Sequence, residues 1–204
     1  PVWPALCWVF SGPTAAHAWN LCSSSIKNDP TPSFRSEGSI FSSKKFSPIP
    51  YFPSQSVDLP KIIKALNLKN NQTVFDLGAG DGIVIFKAAQ LAYNQKLNTH
   101  FVAVEINPVL ILILHLRRFF HPNKKNIRIV YRDIFKMNFS RLPMKQWNNI
   151  TIYLYISPWF LDKVAKKILK EFPKAKIVSY MYPIKSLRKN EKVISGKNSI
   201  FVYN

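Results

Sequence analysis

Cysteine is nearly absent from this 204-residue chain: Cys7 and Cys22 are the only two, so neither a disulfide framework nor a cysteine-ligated metal is expected. The four histidines, His17, His100, His115 and His121, lack the paired spacing of zinc proteases, and no metal site is expected. Acidic residues are scarce as well. Ten Asp and Glu stand against 29 Lys and Arg, giving a formal net charge of +19. Such a surface favours anionic partners such as RNA, phospholipid or acidic protein; cations merely spread over a solvated surface are the alternative.

Long apolar runs are missing too. Residues 1–22 are apolar and rich in tryptophan, but Pro4, Pro13, Thr14, His17 and Asn20 interrupt them, which makes a poor transmembrane helix. Ala16-His17-Ala18 resembles a small-residue cleavage site. From Ser23 to Pro53 the chain is rich in Ser, Pro and Lys without periodicity, as a linker would be. The expected division is therefore an N-terminal segment and linker over 1–50 and one folded domain over 51–204. Val109–Leu116 is almost all Ile and Leu but too short to cross a bilayer. With Arg117, Arg118 and His121 behind it to meet a helix C-terminus, it is expected to be a buried helix across a sheet.

With 47% apolar residues, the chain can build a core. The pattern predicts a helix over 56–66, its first turns disturbed by Pro60, and then a strand over 73–77. Beyond a glycine turn follow a helix over 83–92, a strand over 100–105, a helix over 108–120 and strands over 127–131 and 150–156. A helix over 159–172 and a strand over 175–180 complete the alternation. Lys192–Ser195 and Ser199–Tyr203 are expected to form an antiparallel hairpin around Gly196. This is an α/β fold: a doubly wound, mostly parallel Rossmann-like sheet with helices on both faces.

The segment Asp76-Leu77-Gly78-Ala79-Gly80-Asp81-Gly82 puts three glycines at alternate positions directly after a strand. A dinucleotide fingerprint needs its third glycine at position 83, where Ile83 stands, which argues against a nicotinamide cofactor. No Gly-Lys-Ser or Gly-Lys-Thr follows, so a Walker loop is excluded. Glu105 ends the second strand, where doubly wound folds place an acid against ribose hydroxyls. Asp133 follows the third strand and could accept a hydrogen bond from an adenine amino group. Singly, these features are often a tight turn, a surface charge and a helix cap. Their joint order points to a nucleoside-binding site.

The run Val74–Gly82, with Val104-Glu105-Ile106-Asn107-Pro108 and Arg132-Asp133-Ile134, resembles the three cofactor motifs of class I S-adenosylmethionine-dependent methyltransferases. The resemblance covers roughly residues 50–185 and implies S-adenosyl-L-methionine as cofactor. It implies that Asp76 supports the loop and contacts the methionine amino group, that Gly78, Ala79, Gly80, Asp81 and Gly82 line the methionine moiety, and that Glu105, Ile106 and Asn107 serve the ribose strand end. Asp133 and Ile134 would sit beside the adenine. A closer similarity is to a small group that includes the ATP synthase c-subunit lysine methyltransferases. It rests on Pro50-Tyr51-Phe52-Pro53-Ser54, Tyr153-Leu154-Tyr155-Ile156-Ser157-Pro158 and Tyr182-Pro183-Ile184.

Methyl transfer is an in-line displacement, so alignment and exclusion of water matter more than an acid–base pair. Ser157 and Tyr51 are the expected substrate-side groups. Tyr153 and Tyr155 are expected to point to opposite sides of the fourth strand. No Asn-Pro-Pro-Tyr tetrad of the kind used by amino-group methylases of adenine or glutamine follows that strand, which disfavours those substrates. The closer resemblance, together with the lack of a base-reading domain, implies a protein-lysine methyltransferase. RNA methylation, favoured by Lys124, Lys125, Arg128 and Arg132, and a non-catalytic adaptor are the alternatives. The expected location is cytoplasmic, with membrane association through the N-terminal segment as a further option.

Overall fold

Thr73–Leu77 and Ile150–Leu154 are short, mostly apolar or β-branched runs buried at every position, the mark of central parallel strands covered on both faces. A computed structural model describes residues 54–139 and 149–204; Tyr51 and the expected segment 1–50 lie outside the described residues. In chain order the elements are α1 (Leu59–Leu66), β1 (Thr73–Leu77), α2 (Ile83–Asn94), β2 (His100–Glu105), α3 (Pro108–Phe120) and β3 (Ile127–Tyr131). Then come β4 (Ile150–Leu154), α4 (Pro158–Glu171), β5 (Lys176–Tyr180), β6 (Glu191–Ile194) and β7 (Ile200–Tyr203). Pro60 does not disturb α1. It lies in the first turn, where no N–H is required, and a separate 3₁₀ turn over Ser56–Asp58 precedes it.

The strands form one seven-stranded sheet in the order β3-β2-β1-β4-β5-β7-β6. The first five are parallel, and β7 runs antiparallel to both β5 and β6, so the expected hairpin is present. Strand order reverses between β1 and β4, which opens a crevice at their carboxyl ends. Val74, Phe101, Ala103 and Tyr153 pack on one face with residues of α1, α2 and α3, while Phe75, Leu77, Ile152 and Leu154 pack on the other with residues of α4.

Two further features were not expected from the sequence. In α3 only Leu114 is fully buried; Val109, Leu112, Leu116, Phe119 and Phe120 are 55–81% exposed. The sheet covers one side of this helix, and an all-apolar sequence cannot tell which side that is. The second is Asp58, which sequence reading passed over. It is fully buried and accepts hydrogen bonds from the Tyr180 hydroxyl (2.7 Å), the Lys197 N–H (2.7 Å) and the Asn198 N–H (2.9 Å). A Cβ at Gly196 would collide with its carboxylate, so glycine keeps that turn closed around the acid. Asp58 thus ties the start of α1 to the β6–β7 hairpin.

Candidate functional site

β1 ends at Leu77, and the chain turns through Gly78-Ala79-Gly80-Asp81-Gly82 into α2. All three glycines have positive φ (82°, 57° and 76°), a conformation that side chains resist. Gly82 also has no room: a Cβ there would lie 2.5 Å from Leu114 Cδ2 and 2.8 Å from the Phe86 ring. The Gly78 and Ala79 N–H groups donate to the Val104 carbonyl at 2.9 and 3.0 Å, which fastens the loop to β2.

Glu105 reinforces that fastening. Its Oε2 accepts the Gly80 N–H at 2.8 Å, and its Oε1 accepts the Ile106 and Asn107 N–H groups at 2.8 and 2.9 Å. A carboxylate offers about four lone-pair sites. Three are engaged by backbone, so one on Oε2 remains for a hydroxyl donor. Asn107 caps α3, its side chain accepting from Val109 N at 2.9 Å.

Asp76 lies beneath the loop, 3% exposed, and the β1–β4 register sets it level with Tyr153. Burial, followed by the negative charges of Glu105 and Asp81, pushes its carboxyl up to about 8. At neutral pH it therefore holds a proton unless a cation arrives beside it. Asp81 is partnered differently: its Oδ2 meets Arg117 at 2.9 Å, and the same guanidinium nitrogen donates to the Asp81 carbonyl at 2.7 Å. The sequence suggested Arg117 as a helix-end cation; instead it reaches from α3 to the loop. The signal that would have found it is α3 lying next to the loop, which only the tertiary fold supplies.

Asp76, Gly78, Ala79 and Asp81 line one cavity of about 20 Å³, together with Ser54, Ile83, Val84, Tyr153 and Tyr155. That is room for a single water. The expectation that the two tyrosines face opposite ways is overturned, because residues two apart on a strand share a face. The Tyr153 hydroxyl is 2.9 Å from Ser54 Oγ, and burial keeps the phenol un-ionised by pushing its pKa well up. Tyr155 stacks edge-on against Tyr180 at 5.0 Å and donates to Met181 Sδ at 3.7 Å. Met181 has φ of 71°, unusual for a bulky residue.

Ser157 is not on that wall; it precedes α4, and its carbonyl accepts the Phe160 N–H at 3.0 Å. Ile156, one residue earlier, faces the loop: its Cγ2 would lie 3.3 Å from a Cβ at Gly78. Asp133 and Ile134 lie beyond the end of β3, two strands from β1. There the Asp133 Oδ1 accepts Phe135 N–H at 2.8 Å, and Lys167 Nζ donates to the Ile134 and Phe135 carbonyls at 3.1 and 2.9 Å. Among the described residues no group of three or more His, Cys, Asp or Glu could hold a metal ion. Among them, too, no helix is long and apolar enough to cross a membrane.

This sheet order, with its glycine loop after β1 and acid after β2, defines the class I S-adenosylmethionine-dependent methyltransferase architecture. Residues 50–178 match the family described as ribosomal RNA adenine dimethylase, and the chain belongs to that family. Its cofactor is S-adenosyl-L-methionine. A curated relative from Caenorhabditis elegans, the lysine N-methyltransferase of the ATP synthase c-subunit, is 30% identical over 94 residues, 43% of this chain and 46% of that protein. The chain thus spans about half the length of that relative. A protein-lysine N-methyltransferase of Saccharolobus islandicus is 27% identical over 158 residues, 76% of this chain and 91% of that protein. Among solved structures, an RNA methyltransferase from Salinibacter ruber in complex with S-adenosyl-L-homocysteine is 16% identical with a TM-score of 0.58, over 74% of this chain and 92% of that one. That likeness concerns the fold.

Proposed function

We propose that the chain transfers a methyl group from S-adenosyl-L-methionine to a lysine side chain of a protein. The observation that carries this reading is the cavity where Tyr153 and Tyr155 stand beside Asp76 and the glycine loop. The buried Asp76 carboxyl suits a cationic amino group, and the remaining Glu105 acceptor suits a ribose hydroxyl. The cavity is small, so its walls must part to admit the methionine end of the cofactor. When bound, the cofactor supplies an electrophilic methyl group on a sulfonium.

The residues facing it would strip and align the nucleophile. A lysine amine must shed its proton before attack, at about 1.36 kcal/mol for each pH unit between its pKa and the working pH. Tyr153 and Tyr155, held neutral by burial, form a wall that disfavours an ammonium and so lowers that cost. Their hydroxyls and Ser54 Oγ can orient the lone pair, and Ser157 and Tyr51 are the further proposed substrate-side groups. The names of the two lysine methyltransferase relatives support the choice of substrate. So does Tyr155-Ile156-Ser157-Pro158 standing where an amino-group methylase of adenine would carry Asn-Pro-Pro-Tyr.

RNA is the second reading, favoured by the family description and the charge of +19. The test is methyl-labelled cofactor with the full chain and a cell extract. Label recovered as methyllysine after acid hydrolysis supports the first reading; label released by ribonuclease overturns it.

A further inference from the structure

Six lysines converge on one cleft at the sheet edge opposite the glycine loop. Lys61 and Lys64 come from α1, Lys69 from the segment after it, Lys174 from the turn before β5, Lys176 from the first residue of β5, and Lys192 from β6. The cleft measures about 750 Å³, and none of its described lining residues is acidic. Its floor is apolar, built from Ala65, Ile150, Ile194 and Val202. The neighbouring acid on β6, Glu191, alternates to the other sheet face, where the Tyr203 hydroxyl donates to it at 2.7 Å. Lys176 is half-buried, and burial, followed by the charges of Lys69 and Lys192, holds its ammonium below the usual range. Lysines scattered on a solvated surface would not crowd one another in this way.

We infer that this cleft binds a short run of phosphates. Lysine ammoniums are point charges suited to phosphate oxygens, whereas planar carboxylates are met better by arginine, which is absent from the wall. Lys61 already donates to the Ser195 carbonyl at 3.0 Å, and one phosphate would still leave most of the other five cations unpaired, while a cleft of this size holds several. The run can come from a free polyphosphate or from a nucleic-acid backbone. The cleft lies at the amino ends of β4 and β5, so its occupant does not compete for the crevice at their carboxyl ends.

The test is titration of the full chain with inorganic tripolyphosphate and, separately, with an unstructured RNA of about ten nucleotides, at about 50 and about 200 mM NaCl. Two variants of equal charge change are compared: Lys69→Gln/Lys176→Gln/Lys192→Gln in the cleft and Lys87→Gln/Lys166→Gln/Lys170→Gln on other helices. The cleft variant should lose about tenfold in affinity or more, and the other less than about threefold. Loss for tripolyphosphate identifies a free polyphosphate; loss for RNA alone identifies a backbone. Lys64→Gln/Lys192→Gln, which alters only exposed positions, should lose more affinity than the distant triple variant although it removes one charge fewer, and serves if the cleft triple variant fails to fold. Equal weakening of the cleft and distant variants, or binding of neither ligand, overturns the inference.

Discussion

Asp76→Asn should make the cofactor-free protein more stable while weakening cofactor binding. The wild-type carboxyl has an ordinary value of 3.8 when unfolded and about 8 when folded. A raised folded pKa contributes stability that is fully present below pH 3.8 and is lost as pH rises through 8. At pH 7 the loss amounts to about 4 kcal/mol. Asparagine is neutral in both states and avoids it. The variant should therefore melt with the wild type near pH 3.5, pull ahead as pH rises, and reach an advantage of roughly 10 °C at pH 7. Calorimetry across pH 3.5 to 9 checks this. Coincident melting curves at pH 8 would sink the argument, since the buried carboxyl would then carry no such cost. The companion measurement is titration with S-adenosylhomocysteine in two buffers of different ionisation enthalpy at pH 7. Wild type should release close to one proton on binding as Asp76 ionises beside the ligand's ammonium; Asp76→Asn should release none and bind more weakly.

Three further outcomes are expected. Asp58→Ala, which strands the Tyr180 hydroxyl and two backbone N–H groups, should cost about 3 kcal/mol in urea unfolding at pH 7. Burial raises the Asp58 carboxyl, but Tyr180, the Asn198 and Lys197 N–H groups and Lys61 outweigh it and hold it low. Its stabilisation is therefore present above pH 3.8 and fades as pH falls through its lowered folded value, so variant and wild type should converge in acid. Gly82→Val must accept positive φ and displace Leu114 and Phe86; a loss of about 2 to 4 kcal/mol in thermal stability is expected, and an unchanged melting temperature would contradict the packing described. Arg117→Ala removes a 42% exposed side chain, so stability should change by less than about 1 kcal/mol, yet S-adenosylhomocysteine affinity should fall several-fold as Asp81 loses its clamp.

The alternation of strands and helices was legible because the parallel strands are short, largely apolar runs and, among the described residues, glycine or proline marks many of the boundaries. Asp76, Glu105 and the glycine loop were legible for a related reason: an acid in the last residues of a strand, or a glycine directly after it, sits at the sheet's carboxyl edge whatever surrounds it. What the sequence hid depends on neighbours remote in the chain. Asp58 reads as an ordinary polar residue until Lys197 and Asn198 close over it. Arg117 reads as a helix-end charge until α3 is laid beside the loop. Tyr153 and Tyr155 are a different case, since strand alternation alone already puts both on one face. The exposed side of α3 could not have been read, because nothing in an unbroken run of Leu and Ile marks the side that the sheet covers.

The position of β7 constrains the order in which this domain can be made. It follows β6 in the chain yet lies between β6 and β5 in the sheet. Once β5 and β6 have emerged but β7 has not, β6 has no strand to pair with and the edge of β5 stands open, inviting other chains. Asp58, translated long before, lacks two of its three hydrogen-bond donors until Lys197 and Asn198 emerge. Only after Tyr203 clears the exit tunnel can the hairpin close in one event that seals the edge and satisfies the acid together. Released chains that end at Ser195, and so lack β7, should then be protease-sensitive across β5, whereas chains that include Tyr203 should be protected.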